Sequence, residues 1–172
     1  MLSDEESEPD PESVARRILL DQLTGRARSR KELSDKLASR NVPAEIATRL
    51  LDRFEEVGLV DDGAFARTWV SQRQQGKGLS RRVLAQELRR KGVDDEVVKE
   101  ALEGIDPADE AAAAHDLVRR KMRSMRGLDE QVATRRLVGM LARKGYSPGL
   151  SFSVVREELA SAGRECPGDL HD

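Results

Sequence analysis

The residues best suited to do chemistry in this sequence are basic, and they crowd into residues 65–93, FARTWVSQRQQGKGLSRRVLAQELRRKGV. Lysine and arginine bind phosphate and carboxylate oxygens, so this composition is suited to holding a polyanion. A second basic group lies between residues 119 and 126. The candidate contact residues of the two groups are Arg73, Lys77, Arg81, Arg82, Arg89, Arg90, Lys91, Arg119, Arg120, Lys121, Arg123 and Arg126. A solvated helix face is the alternative interpretation, and the sequence leaves it open.

Groups that could carry out catalysis are few and scattered. The two histidines, His115 and His171, are far apart in the sequence, and Cys166 has no second cysteine to pair with. Gly76-Lys77-Gly78 lacks the spacing and the hydroxyl residue of a phosphate-binding loop, so we expect it to be a flexible connector between helices. The sequence therefore predicts a protein that is not an enzyme and that has no cofactor and no metal site.

Two sets of apolar side chains have helical spacing and could be mistaken for a binding site. Met122, Met125 and Met140 form one set, and Phe65 with Trp69 forms the other. Methionine fills irregular gaps in hydrophobic cores, and two aromatic residues four positions apart share one helix face. We therefore predict that both sets belong to the core.

One pattern of apolar residues occurs three times in the chain at intervals near 50 residues. The middle copy of the pattern consists of Leu84, Leu88, Lys91, Gly92 and Val93. The first copy lies 51 positions earlier and consists of Leu33, Leu37, Arg40, Asn41 and Val42. The third copy lies 53 positions later and consists of Leu137, Leu141, Lys144, Gly145 and Tyr146. Glycine and asparagine tolerate the left-handed backbone that ends many helices. Matching apolar residues before and after this pattern predict three modules of three helices each.

The expected architecture is all-α, with three tandem three-helix modules forming an elongated, curved array. Charged residues make up 36% of the chain and aromatic residues only 3%, which is a helical composition with small cores. The predicted segments are a disordered acidic N-terminus at 1–10, modules at 11–60, 61–105 and 106–161, and a disordered tail at 162–172. Module three should have a longer first helix that extends toward Arg126, with about five extra residues, mostly basic, between its first two helices.

The net charge of −2 conceals a basic body between acidic ends. Residues 13–156 hold 29 basic and 21 acidic residues, a net charge of +8. This asymmetry favours a polyanionic partner. No run of 18 apolar residues is present and the first residues are acidic, so we expect a cytoplasmic monomer without a membrane span or a signal peptide.

Three-helix modules raise the alternative of tandem helix-turn-helix units, in which the last helix enters the DNA major groove. The segment 94–103, which should form the last helix of the middle module, has five acidic residues and one basic residue. Phosphates would repel it, so any DNA contact should involve the backbone without reading bases. The positive charge lies instead on the second helix, where Arg82, Gln86 and Arg89 share the face opposite Leu84 and Leu88.

Three segments together resemble the RecX family of bacterial regulatory proteins. They are RARSRKELSDKLASRNV at 26–42, GLVDDGAFARTWVSQR at 58–73 and GKGLSRRVLAQELRRKGV at 76–93, and the resemblance extends over about residues 13–160. It implies a protein that binds the recombinase RecA or the RecA–DNA filament and inhibits its ATP hydrolysis and strand exchange in recombination, DNA repair and the SOS response. The candidate contact residues would then face the filament or its DNA. An autonomous, sequence-independent DNA-binding protein is the alternative.

Overall fold

The computed structural model describes residues 8–164, and this part of the chain folds into nine α-helices without a β-strand. The helices are α1 (Pro11–Gly25), α2 (Arg30–Ser39), α3 (Ala44–Glu56), α4 (Asp62–Lys77), α5 (Arg81–Arg90), α6 (Asp95–Glu103), α7 (Pro107–Met122), α8 (Glu130–Arg143) and α9 (Pro148–Arg164). The all-α prediction is confirmed. The predicted disorder at residues 1–7 and 165–172 lies outside the described residues, and α9 continues past Ser161 to Arg164.

The predicted turn after the second helix of each module is present in all three copies. Asn41, Gly92 and Gly145 have backbone φ angles of 60°, 77° and 94°, which is the left-handed region. The amide of the next residue then donates to a carbonyl of the last helical turn. These bonds, each 3.1 Å long, are Val42 to Leu37, Val93 to Leu88 and Tyr146 to Leu141. Each second helix therefore ends in the same way.

The starts of the second helices are also specified locally. Ser29 caps α2 by accepting a 3.2 Å hydrogen bond from the amide of Glu32, three residues later. Ser80 takes the same position before α5, where its hydroxyl accepts from the amide of Val83 at 3.3 Å. Both serines are buried, so their environments extend beyond their own helices.

The chain divides into two compact units whose borders cut through the middle module. Unit 1 combines Met1–Trp69 with Leu88–Ala101, and unit 2 combines Val70–Glu87 with Leu102–Asp172. Both borders at Trp69 and Glu87 fall inside helices, α4 and α5. Each unit thus contains one terminal module together with a part of the middle module.

Each unit has its own apolar core, and the leucines of the repeated pattern lie at its centre. In unit 1 the core contains Ala15, Leu19, Leu33, Leu37, Ala47, Leu50, Leu51, Phe54 and Val60. In unit 2 it contains Ala114, Val118, Leu137, Leu141, Tyr146, Val154 and Val155, with Met122, Met125 and Met140 packed against it. Burying each leucine contributes roughly 2 kcal/mol. The three methionines pack against the core as predicted but are only partly buried, and Phe65 is buried whereas Trp69 is half-buried.

Each unit also contains one joint, where the start of a second helix packs against the end of the second helix in the next module. In the first joint, the Ser29 hydroxyl donates to the Lys91 carbonyl at 2.6 Å. In the second joint, the Ser80 amide donates to the Lys144 carbonyl at 3.0 Å. The next amide in each joint donates to an acid at the start of a first helix: Arg30 to Asp62 at 2.8 Å, and Arg81 to Glu110 at 3.3 Å. These bonds satisfy amides that a helix start leaves unpaired.

The break predicted at residues 76–78 is shorter in the structure, because α4 continues to Lys77. Gly76 and Lys77 belong to α4, and only Gly78, with φ 61°, leaves the helix. The Tyr146 hydroxyl donates to the buried Gly78 carbonyl at 2.6 Å, and Lys144 Nζ donates to the Lys77 carbonyl at 2.8 Å. Two side chains of module three therefore donate to carbonyls of this segment, and its flexibility stays a prediction.

The first helix of module three is shorter than the basic sequence suggested. We expected it to continue toward Arg126, but α7 ends at Met122 and a loop leads to α8. The Ser124 amide and hydroxyl both bind the Lys121 carbonyl, at 3.1 and 2.8 Å, and so satisfy an acceptor that the helix end leaves unpaired. The extra residues of module three therefore form mainly this loop.

Candidate partner-binding residues

The candidate contact residues that belong to unit 1 lie at the end of α5, and they differ in how accessible their charged groups are. Arg89 and Arg90 are exposed, and Arg89 Nε lies 2.9 Å from an oxygen of Asp95. Lys91 is half-buried, with its Nζ 3.5 Å from Glu32 and 5.1 Å from the centre of the Trp69 ring. Lys91 thus takes part in internal packing, while the two arginines can reach a partner.

The basic residues of unit 2 in α4 and α5 also divide into two classes. Arg73 is half-buried and lies 3.8 Å from Glu87, and Arg81 is half-buried beside Glu110. Lys77 and Arg82 are exposed. Arg82 Nε donates to the Gly145 carbonyl at 3.5 Å, the long end of the hydrogen-bond range. Arg82 remains suited to a surface contact, although one edge of its guanidinium touches module three.

The remaining candidates surround the end of α7, where three of them line one cleft. Arg119, Arg123 and Arg126 form part of this cleft, which has a volume of about 1350 Å³. Arg120 instead pairs with Asp116 at 3.8 Å, and Lys121 is exposed on the same helix. The structure therefore brings three of the five predicted basic residues of this group together.

A buried carboxylate, Glu158, forms one wall of the cleft. Arg119 Nε lies 3.0 and 3.1 Å from its two oxygens, and His115 Nδ1 lies 2.7 Å from one of them. Burial alone would raise the pKa of Glu158, but the hydrogen bonds from Arg119 and His115 reverse this and lower the pKa below its usual value. Glu158 is therefore ionised at neutral pH and holds Arg119 in place.

Sequence reasoning missed two further residues of the cleft, Arg156 and Phe152, which both come from α9. Phe152 is 50% exposed, which is unusual for phenylalanine, but the sequence has no signal for its exposure. The His115 side chain is 23% exposed, and its Nε2 also lies 3.4 Å from a Glu157 oxygen.

The described residues contain no group of three or more histidine, cysteine, aspartate or glutamate side chains that could hold a metal ion. Among the helices in the described range, none is both long and apolar enough to cross a membrane.

Three family models match the chain in sequence order. They are described as the first, second and third three-helix domains of RecX, and they match residues 15–54, 61–102 and 108–155. The chain belongs to the RecX family. The resemblance found in the sequence is thereby confirmed, and with it the interpretation of the repeat as tandem three-helix domains.

Proteins named RecX are similar to this chain over most of its length. The "Regulatory protein RecX" of Streptomyces lividans is 50% identical over 163 residues, which cover 94% of this chain and 87% of the relative. The protein of the same name from Thermobifida fusca is 51% identical over 151 residues, covering 88% and 82%. These RecX relatives are named as regulatory proteins and not as enzymes.

Solved structures show the same fold at low sequence identity. The crystal structure of RecX from Lactobacillus salivarius matches with a TM-score of 0.77 at 20% identity, covering 88% of this chain and 98% of that one. A second crystal structure, of a regulatory protein RecX, matches with a TM-score of 0.74 at 24% identity, covering 87% and 73%. The RecX fold thus persists where most residues differ.

Proposed function

We propose that this protein binds RecA or the RecA–DNA filament and inhibits its ATP hydrolysis and strand exchange in recombination, DNA repair and the SOS response. The observation that carries the proposal is the match of all three domains to RecX, together with regulatory relatives that are 50% identical over 94% of the chain. The expected location is the cytoplasm, where RecA acts.

The distribution of charge supports binding to a nucleoprotein partner. Residues 13–156 carry a net charge of +8, and Arg82, Arg89 and Arg90 are exposed on one helix, α5. Such side chains can approach phosphates or an acidic protein surface. By contrast, α6 carries Asp95 and Glu96 in its first turn, which disfavours its insertion into a DNA groove.

The decisive experiment measures the ATPase rate of RecA on single-stranded DNA with a substoichiometric amount of this protein. We expect the rate to fall. An unchanged rate under conditions in which the two proteins also fail to associate would refute the proposal.

A charge reversal tests the contribution of α5. Arg82→Glu combined with Arg89→Glu should weaken filament binding and RecA inhibition by about tenfold or more, because two charges are reversed in a partly desolvated contact. The ion pair of Arg89 with Asp95 is exposed, and such pairs contribute only about 0–1 kcal/mol, so the variant should remain folded. Lys31→Glu, the matching change on α2, should have a smaller effect. If the double variant inhibits RecA fully, this face of α5 is an ordinary solvated surface.

The second candidate function is autonomous, sequence-independent DNA binding, which the net charge of +8 favours. It predicts DNA binding in the absence of RecA and a steep loss of affinity with added salt, because each phosphate contact releases counterions. Fluorescence anisotropy of labelled DNA over a range of salt concentrations distinguishes the two functions. Autonomous DNA binding would be favoured if the protein binds DNA tightly without RecA and if this binding fully accounts for any inhibition of RecA.

A further inference from the structure

The cleft of module three, here called the α7–α9 cleft, is lined in part by apolar side chains, here called its floor, and two of them are exposed. Phe152 is 50% exposed and Leu128 is 39% exposed. The floor residues are Met122, Met125, Leu128, Phe152 and Leu159. Apolar side chains grouped in a concavity of about 1350 Å³ are typical of a surface that binds a partner.

The lining of the same cleft is also strongly basic. Its four arginines are Arg119, Arg123, Arg126 and Arg156. Glu158 is already bound by Arg119 and His115, which leaves Glu130 as the other carboxylate of the lining. Within residues 8–164, no ion pair is found for Arg123, Arg126 or Arg156. The cleft therefore offers guanidinium groups to an incoming anion.

We propose that the α7–α9 cleft is a docking site for an acidic amphipathic helix of a partner protein. Two or three large apolar side chains on one face of that helix would occupy the floor, where methionine adapts to different shapes. Carboxylates flanking this face would pair with Arg123, Arg126 and Arg156, since arginine binds carboxylate oxygens in a bidentate manner. The proposal goes beyond RecA inhibition because it does not require the partner to be RecA.

A nucleic acid fits this cleft less well. Surfaces that bind single strands stack successive bases on several aromatic side chains. Phe152 is the only aromatic side chain that residues 8–164 contribute to the lining. The floor instead offers aliphatic and thioether groups, which suit leucine and phenylalanine side chains.

The test uses the full chain and a labelled synthetic peptide of about four helical turns, with leucines along one face and glutamates beside them. In one control peptide alanines replace the leucines, and in another lysines replace the glutamates. Fluorescence anisotropy should show binding of the acidic amphipathic peptide and affinities lower by about tenfold or more for both controls. If the acidic peptide does not bind at about 1 mM, where even weak complexes form, the proposal is wrong.

Methionine methyl groups report where the peptide binds. In spectra of protein labelled with ¹³C at the methionine methyls, Met122 and Met125 should shift on addition of the peptide. Met140 packs against the same core but does not line the cleft, so it is the internal control and should not shift. Peptide binding that leaves Met122 and Met125 unchanged would place the site elsewhere and overturn the proposal.

Variants of the cleft complete the test. Phe152→Ala, and separately Arg123→Glu with Arg126→Glu, should each reduce peptide affinity by about tenfold. The matched control is Arg135→Glu with Arg136→Glu, two exposed arginines of α8 outside the cleft, which should retain the affinity of the unmodified protein. Circular dichroism checks that each variant is folded. If both double variants lose the same peptide affinity, net charge alone explains the loss and the proposal is wrong.

Two other occupants are outcomes of the same test. An oligo(dT) strand that shifts Met122 and Met125 and displaces the peptide would identify a nucleic-acid surface instead. A gain in peptide affinity of about tenfold on deletion of residues 165–172 would show that the chain's own end competes for the cleft. The first result would replace the proposed partner helix, whereas the second would support it, because the peptide and the chain's own end would then compete for the same cleft.

Discussion

The two joints use the same backbone contacts but differ in the chemistry that supports them. The first joint, in unit 1, is surrounded by charge: Lys91 lies 3.5 Å from Glu32 and 5.1 Å from the Trp69 ring. The second joint, in unit 2, is supported by Tyr146, whose side chain is only 3% exposed and whose hydroxyl binds the Gly78 carbonyl. The comparison shows that one repeated contact can be stabilised either by partly exposed ions or by burial.

The joints also explain why the repeated turn has glycine twice and asparagine once. A Cβ added at Gly92 would lie 2.1 Å from Cδ and 2.4 Å from Cβ of Lys31. A Cβ added at Gly145 would lie 2.2 Å from Val83 Cγ2 and 2.3 Å from Ser80 Oγ. Asn41 is exposed, so its side chain is tolerated at φ 60°. Glycine is therefore required where a second helix starts against the turn.

Gly145→Ala should have the largest effect on stability. The left-handed backbone costs alanine about 1 kcal/mol, and the clash with the stiff, branched Val83 and with the capping Ser80 adds about 2 kcal/mol. Urea unfolding followed by circular dichroism should therefore show a loss of about 3 kcal/mol in the free energy of unfolding.

Gly92→Ala is the matched control in the first joint. It should cost about 2 kcal/mol, because the outer part of the Lys31 side chain can move away although its Cβ cannot. If Gly92→Ala proves more harmful than Gly145→Ala, the second joint is not the more tightly packed of the two.

Tyr146→Phe should reduce the free energy of unfolding by about 1–2 kcal/mol, because the buried Gly78 carbonyl loses its donor. The loss should be nearly independent of salt, since no ion pair is removed. Urea unfolding at low and high salt measures both quantities. A loss below about 0.5 kcal/mol would mean that water replaces the hydroxyl and that the joint is wetter than the structure indicates.

The same tyrosine should make unit 2 sensitive to alkali. Burial, and then the charge of Glu110, raise the pKa of Tyr146 to about 12, above the usual 10.0. The folded protein thus favours the neutral phenol, so this contribution is fully present below about pH 10 and is lost as the pH rises toward about 12. Absorbance of the phenolate, from the only tyrosine of the chain, should titrate near pH 12. A midpoint near 10 would show that the ring is accessible to solvent.

Lys91→Met tests the ionic support of the first joint. The substitution keeps the apolar stem but removes the ion pair with Glu32 and the contact with Trp69, which together contribute about 1 kcal/mol. Because the Glu32 pair is partly exposed, the difference from the unmodified protein should shrink at about 1 M salt. Urea unfolding at two salt concentrations provides the measurement, and a difference that grows with salt would contradict the ionic account.

Asn41→Gly should have the smallest effect, a change in the free energy of unfolding within about 0.5 kcal/mol. Asparagine and glycine both accept a left-handed backbone, and no helix start packs on this turn. Urea unfolding of this variant, measured together with Gly92→Ala and Gly145→Ala, compares the free energy of unfolding for all three turns. A large change at Asn41 would mean that its side chain makes a contact needed for the fold.

Much of the fold could be predicted because its determinants are local and repeated. The spacing of Leu33 and Leu37 predicts a helix face, Ser29 predicts its start, and Asn41 with Val42 predicts its end. Helix periodicity and capping depend on residues within four or five positions of each other, so they can be read from a single sequence. Three copies of the pattern then indicated tandem modules, and the same residues carried the resemblance to RecX.

The α7–α9 cleft and the joints could not be predicted in this way. Arg156 and Phe152 line the same cleft as Arg123 only because α9 packs beside α7. The Tyr146 hydroxyl binds the Gly78 carbonyl, 68 positions away in the sequence. Local patterns indicate which face of a helix is apolar. Which other helix covers that face depends on how whole side chains pack together. The sequence by itself therefore determined the modules, the turns and the charge of the chain, whereas tertiary packing decided which basic residues were bound internally and which lined an open cleft.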